Sequence, residues 1–500
     1  MLALQPLAPD IAPLDAGEQF ALDLLLDLSC VLRVDGAATS DVVQLHIVPG
    51  GRPTADVTLL GLRHRPRIAN GPSLVREVPV RTWLGVGDGL VTVGRDVLRA
   101  ICNVAGGVRE QRSTARDRYQ RVPSVESGLV ATGGDTERNP LVSAGARALA
   151  DAVAQAAGRR PCFQVAPWPQ GKRWAAALTH DLDVVDWWPA FTTLRVAELT
   201  RKGQLGQAMA VIAAAARSGG RDVVWRGVQS VLQAEAQHGV RSTWFILCGT
   251  PTLATARAGD LTYRPDGNLA RRILGAVGAA GHELGLHGSF ATSERPEVFA
   301  EQRARLATLT GTEVSGVRQH YLRMHPATTP AQMAAAGFAY DSTIGFADRN
   351  GFRLATPDVL PSWSDARQAA LPLDEVPFCW MDRALSKYRG VEEPDAWIED
   401  ALALADACRV VQGLFVGIWH PNLTPALGFP GAPAAYARLV GELVQRGAHL
   451  APLAELVAWR RVRRTVRAEG VGPDGRPVLR NARAGVVIES LPPRSAHTRG

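Results

Sequence analysis

The rhythm of apolar and polar positions changes once along the chain. Up to about Pro169, short β-like runs at residues 42–48, 57–62 and 90–93 are mixed with helical patterns at 97–104 and 144–157. This mixture predicts a smaller α+β domain over residues 1–165. After Trp174 the pattern becomes regular. Strand-like runs at 175–179, 242–247, 283–287, 316–320, 338–340, 376–380 and 414–418 alternate with helical patterns at 269–279, 300–309, 330–336 and 432–443. Strand and helix in alternation predict parallel strands joined by crossover helices, an α/β barrel or open sheet over residues 174–460. Pro161, Pro167, Pro169 and Gly171 give the intervening segment turn chemistry, so it is expected to link the two parts.

Length agrees with this division, since 500 residues correspond to two or three domains at roughly 150 residues each. No repeat or low-complexity tract points to a solenoid or a disordered chain. The net charge of +7 suggests nucleic acid until it is located. Ten arginines against three acidic residues lie between Arg460 and Gly500 and account for the whole excess. Residues 461–500 are therefore expected to form a solvated basic tail, with no nucleic-acid partner implied. The six cysteines are widely spaced without a Cys-x-x-Cys pair and read as buried thiols. The first basic residue is Arg33 and no apolar run is long enough to span a bilayer, so a cytoplasmic chain without a transmembrane segment is expected. Oligomeric state is not legible.

Several predicted strands end in ionisable residues. The run 175–179 leads into His180, Asp181 and Asp183, 283–286 into His287, 316–317 into Arg318 and His320, and 414–418 into His420. In parallel α/β folds the carboxyl ends of strands lie at one rim, so residues distant in sequence converge there. Asp181 and Asp183 share a face if the segment stays extended, and such a pair favours either a bound cation or a raised carboxyl pKa; a helix cap or turn is the plainer role. His282 and His287 are one residue too far apart for the His-Glu-x-x-His zinc helix and face opposite ways on a strand. His287, at the strand end, is therefore the candidate ligand and His282 a packing or hydrogen-bonding residue. Serine-hydrolase and nucleotide-hydrolase chemistry lack their Gly-x-Ser-x-Gly and Gly-x-x-x-x-Gly-Lys motifs.

The ordered motifs Thr179-His180-Asp181-Leu182-Asp183, Ser242-Thr243-Trp244-Phe245, Gly281-His282-Glu283-Leu284-Gly285-Leu286-His287, Gly316-Val317-Arg318-Gln319-His320-Tyr321 and Trp419-His420 resemble those of the polysaccharide deacetylases, carbohydrate esterase family 4. The likeness spans about residues 174–460. It implies a distorted (β/α) barrel, a divalent metal ion, usually zinc, and removal of N-acetyl groups from a sugar or polysaccharide. Position by position, Asp181 resembles the general base, Asp183 the metal carboxylate and His287 the first metal histidine. Arg318 resembles the arginine bracing the base and His420 the general acid, with Asp382 a further orienting carboxylate.

Two departures mark a divergent branch. Leu182 separates the two carboxylates, and Ala291 stands where the family has its second metal histidine. Catalytic zinc normally takes three protein ligands, and His320, on the strand parity of Arg318, is the candidate for the third. The backbone N–H of Tyr321 is the expected oxyanion donor, and Asp341 and Arg353, in a segment rich in hydrogen-bonding groups, are expected to line a substrate groove. Two alternatives stand beside the deacetylase: a metal-dependent amidase acting on a small non-sugar C–N bond, and a catalytically degenerate carbohydrate-binding protein.

Overall fold

Eight consecutive buried residues, Ala175–Leu182, form the central strand of the largest sheet in the computed structural model of the protein. The structure describes residues 1–4, 12–34, 42–49, 62–63, 76–77, 83–130, 135–186, 188–217, 223–250 and 263–491. From one edge the sheet runs Leu360–Ser364, Ala369–Glu375, Tyr340–Asp341, Gly316–Gln319, Glu283–Gly288, Thr243–Leu247, Ala175–Leu182, Leu414–Ile418 and Trp380–Met381, with His449–Leu450 also paired to the central strand. Every pairing is parallel except the hairpin Leu360–Ser364 with Ala369–Glu375. Helices cover the outside and the sheet curls into an incomplete (β/α) barrel. Burial on both faces explains why these strands read as nearly continuous apolar runs.

The two faces carry different chemistry because side chains alternate. Ala176, Leu178, Trp244, Ile246, Leu284 and Leu286 join the outer core against the helices. Ala175, Ala177, Phe245, Val416 and Ile418 belong to the inner core. Glycine makes that inner packing possible. A Cβ on Gly285 would lie 2.8 Å from the Phe245 ring, and one on Gly316 would lie 2.1 Å from the Tyr340 ring. At the floor, Glu283 accepts hydrogen bonds from Thr243 Oγ1, the Tyr340 hydroxyl and the Ala454 N–H. The last of these donors opens the helix Leu453–Thr465, so an orphan N–H of a helix start is used to close the barrel bottom.

The N-terminal region has a sheet of its own, ordered Leu2–Leu4, Val43–Val48, Leu90–Gly94 and Leu84–Gly87. It packs with the helices Ala16–Ser29, Arg95–Ala105 and Leu141–Ala157. The expected run 57–62 lies outside the described residues except Leu62, which begins the strand Leu62–Arg63. Leu354, Ala355, Leu360 and Trp363 from the barrel side enter the N-terminal core, so apolar packing continues across the expected boundary.

The expected solvated tail needs correction. Its first residues finish the helix Leu453–Thr465, Arg467–Val471 and Pro477–Arg480 form a hairpin, and Ile488–Ser490 pairs with Phe163–Val165 inside the expected linker. Arg460 and Arg463 are almost fully buried, bonded to Asp358 and Asp27. The charge excess was located correctly, but carboxylates elsewhere in the chain neutralise part of it.

Candidate metal centre

The inner-face alternation ends in the functional groups. Along the central strand the inward positions run Ala175, Ala177, Thr179 and Asp181; on Glu283–Gly288 they end at His287, and on Gly316–Gln319 at Arg318. Asp183 lies just beyond its strand, and His320 and His420 follow Gln319 and Ile418 closely. Parallel strands thus place these residues at one rim, as the sequence pattern implies.

The donor atoms are close together. His287 Nε2 lies 3.2 Å from Asp183 Oδ1 and 3.9 Å from Asp181 Oδ2, and His320 Nε2 lies 3.7 Å from Asp183 Oδ1. One donor atom from each of Asp183, His287 and His320 falls within 4.8 Å of the others. His420 Nε2 stands 3.5 Å from Asp183 Oδ2.

Whether these groups fit a cation can be judged from their other partners. His287 Nδ1 is 2.9 Å from the Arg318 carbonyl, which requires the proton on Nδ1 and leaves the Nε2 lone pair facing Asp183. Asp183 Oδ1 is buried without a hydrogen-bond partner. An orphaned carboxylate oxygen beside the His287 lone pair, with the His320 imidazole 3.7 Å away, has the chemistry of a divalent-metal site, and the residues fit one.

The flanking groups are fixed from behind. Arg318 is fully buried; its Nη1 donates to Asp181 Oδ1 (2.9 Å) and Thr179 Oγ1 (2.8 Å), while Nε and Nη2 are held by Ser342. Burial works to raise the Asp181 pKa, but the Arg318 guanidinium and then the nearby imidazoles hold the carboxyl below its ordinary range. Asp183 is lowered against the same burial by the imidazoles around it, first His287 at 3.2 Å and then His320 and His420. Desolvation opposes charging of His287, yet Asp181 and Asp183 raise its pKa. His420 Nδ1 and its backbone N–H both meet Asp382, each at 2.6 Å. Burial disfavours the imidazolium, but Asp382 outweighs it and pushes His420 up to about 9.

Tyr321 and Leu322 follow His320 with φ of 58° and 56°, a left-handed step that neither side chain favours. This turn directs the chain around the pocket, and Tyr321 lines it. The Phe290 ring packs 5.9 Å from His320 and 5.2 Å from Tyr321, one residue before Ala291.

Two expected substrate contacts are corrected. Asp341 is fully buried, bonded through Oδ1 to the Thr343 N–H and hydroxyl, and does not line the metal pocket. Arg353 is clamped by Glu110 and the Gly345 and Val122 carbonyls, and lines a neighbouring cavity of about 260 Å³. Hydrogen-bonding composition marked that segment, but it does not tell which face each residue takes.

The metal pocket, about 150 Å³, also contains groups the sequence reading missed: Arg121, Phe191, Arg383, Lys387, Tyr388 and Asn422. Arg383 closely follows the strand Trp380–Met381, but the others come mostly from loops and from the short π-helical turn Ala384–Arg389, where no strand end marks them. His180 also departs from the rim. It faces outward, with Nδ1 2.9 Å from the Trp419 carbonyl and Nε2 3.0 Å from Glu235, and so ties the central strand to the chain just before His420.

No family model matches the chain, and no curated protein matches it. Solved structures do. A Mycobacterium smegmatis protein named as a polysaccharide deacetylase is 22% identical with a TM-score of 0.41, covering 61% of this chain and 96% of that one. A structure named as an allantoinase is 16% identical with a TM-score of 0.38, covering 58% and 92%. A Bacillus anthracis protein described as a pseudoenzyme of carbohydrate esterase family 4 is 10% identical with a TM-score of 0.29, covering 58% and 66%. The chain is similar to these proteins.

Proposed function

We propose that the protein is a metal-dependent hydrolase of C–N bonds that removes N-acetyl groups from an amino sugar or polysaccharide. The observation that supports this most directly is the meeting of Asp183, His287 and His320 donor atoms within 4.8 Å, flanked by a carboxylate and an imidazole each held by a buried partner. Asp183, His287 and His320 would hold a divalent ion, zinc by its N/O donor set, and the ion would supply Lewis-acid chemistry for an amide carbonyl and water.

The chain's own groups supply the proton transfers. Asp181 is ionised at neutral pH, and because Arg318 engages Oδ1, Oδ2 is left to take a proton from the attacking water. His420, protonated and fixed through Nδ1 by Asp382, presents Nε2 to the departing nitrogen and returns a proton to it. The water oxygen joins the acyl carbon, the C–N bond breaks, and acetate and free amine leave.

Acetate release from N-acetylglucosamine oligomers by zinc-loaded protein tests the reading. Asp181→Asn is expected to keep zinc and lose turnover, whereas Asp183→Ala is expected to lose zinc. Wild-type turnover in either variant refutes these roles. The small volume of the pocket, about 150 Å³, favours one second reading, an amidase acting on a small non-sugar amide. Zinc uptake without acetate release, with hydrolysis of small amides, would select it.

A further inference from the structure

Part of the metal-pocket wall is cationic. Arg383 and Lys387 both line the pocket and also line an adjoining recess of about 190 Å³. Among the described residues neither makes an ion pair, and Arg383 Nη1 donates to Ser386 Oγ at 3.5 Å. Acidic groups nearby are already engaged: Asp117 by Arg121, Glu198 by Arg195 and Lys202, Asp382 by His420, and Asp181 by Arg318. Asp183 belongs to the metal set.

The Lys387 ammonium is held over three aromatic rings. Its Nζ lies 5.7 Å from the Tyr119 centroid, 5.4 Å from Tyr321 and 5.5 Å from Tyr388. Cation–π attraction positions an ammonium without neutralising it, so its charge remains available to a ligand. Tyr119 comes from the N-terminal region and stacks on Tyr321 at 4.8 Å. Arg121, from the same segment, reaches the Tyr321 carbonyl and the Tyr388 hydroxyl at 3.3 Å each. The N-terminal region therefore builds part of the pocket rim.

We propose that Arg383 and Lys387, the latter held over Tyr119 of the N-terminal region, form an oxyanion subsite beside the metal centre, so that the amide substrate carries a carboxylate, phosphate or sulfate group. The inference rests on the metal-hydrolase reading of the pocket and narrows its substrate class. Two cations without ion pairs among the described residues, facing one small volume, repel each other, and a bound oxyanion relieves that repulsion while accepting charge-assisted hydrogen bonds from both.

Inorganic sulfate is the probe, titrated calorimetrically into zinc-loaded and chelator-treated protein at an ionic strength fixed with chloride. One sulfate per chain is expected in both forms, since Arg383 and Lys387 do not depend on the metal. Lys387→Met, at an exposed position that spares the fold, is expected to weaken sulfate about tenfold. Arg383→Met is expected to weaken it as well, and the exposed control Arg389→Met to leave it unchanged. Absence of sulfate binding in wild type, or equal affinity in wild type and Lys387→Met, overturns the subsite. Zinc titration of the same samples separates the two readings: zinc uptake without a sulfate site removes only the subsite, whereas failure to take up zinc removes the hydrolase. If the subsite stands, N-acylated amino acids and phosphorylated or sulfated amino sugars, compared as substrates, show which oxyanion it serves.

Discussion

At the scale of single residues, the pocket depends on which atom each polar group has left over. Asp382 spends both oxygens on His420, one on the backbone N–H and one on Nδ1, so the imidazole can present only Nε2. Asp382→Asn removes the anion that raises the His420 pKa. A general acid must be protonated, so activity falls as pH rises through its pKa; in this variant that basic limb is expected to move to lower pH. A drop in kcat of about 10²–10⁴-fold is expected if proton donation is lost. A pH–rate profile with an unmoved basic limb would show that His420 is not the acid. His320 tests the metal set independently. His320→Gln should lower zinc affinity by more than the roughly 10–100-fold typical of losing an outer partner, as read by calorimetry.

The residue scale also shows what was legible in the sequence. Asp181, His287, Arg318 and His420 were visible because each ends or closely follows an apolar run, and strand direction then brings them to one rim. His320 was reached by strand parity, although the strand stops at Gln319 and a left-handed step at Tyr321 shapes the pocket beside it. Asp341 and Arg353 were misread. A polar residue in a loop-like stretch looks available to a ligand, yet Asp341 bonds Thr343 and Arg353 bonds Glu110. Arg383, Lys387 and Tyr119 were missed because two segments far apart in the chain contribute them, Arg383 and Lys387 from one turn and Tyr119 from the N-terminal region, and no local pattern links those segments.

At the scale of elements, the barrel strands were readable where burial on both faces left an apolar run, and Leu414–Ile418 coincides with its expected limits. The antiparallel hairpin Leu360–Glu375 was missed, because Pro361, Pro372 and a half-exposed second strand give no such run. Glycine spacing within strands carries a separate consequence. Gly316 faces the Tyr340 ring, and that ring cannot retreat easily: it is fully buried and its hydroxyl donates to Glu283 at 2.7 Å. Gly316→Ala would place a methyl 2.1 Å from the ring. Overpacking of this kind should cost about 1–3 kcal/mol, measured as a lower urea midpoint at unchanged m-value. Because Arg318 lies two residues further along the same strand face, zinc affinity should fall in the variant along with stability. Unchanged stability would mean that the inner layer is looser than its contacts imply.

At the scale of the whole molecule, the arginine-rich C-terminal stretch holds the N-terminal region to the barrel. Asp27, near the end of the helix Ala16–Ser29, receives Arg463 Nη2 at 2.6 Å and Arg464 Nε at 3.1 Å. Arg464 also reaches Asp374 at 2.5 Å, in the barrel hairpin, and Arg460 reaches Asp358 at 2.6 Å. Charge counting could find these arginines but not their partners, which lie roughly 90 to 440 residues earlier in the chain. Removing one member of a buried ion pair leaves the other charged and dry, which typically costs 3–5 kcal/mol, roughly. Because Arg464 and Arg460 still face Asp27 at 3.1 and 3.3 Å, Arg463→Met is expected to lower stability in urea unfolding by less than that, about 1–3 kcal/mol, whereas Arg476→Met, exposed in the terminal hairpin, should stay within about 0.5 kcal/mol of wild type. The cause can be separated from simple loss of packing. Asp27→Asn combined with Arg463→Met removes both charges, so the double variant should be more stable than the sum of the two single losses predicts. Strict additivity would show that Arg463 acts through its aliphatic stem alone. Since Tyr119 and Arg121 reach the pocket from the N-terminal side, weakening this clamp should also loosen the proposed oxyanion subsite. Sulfate affinity in Arg463→Met should then fall further than zinc affinity, because the three candidate zinc ligands all belong to the barrel.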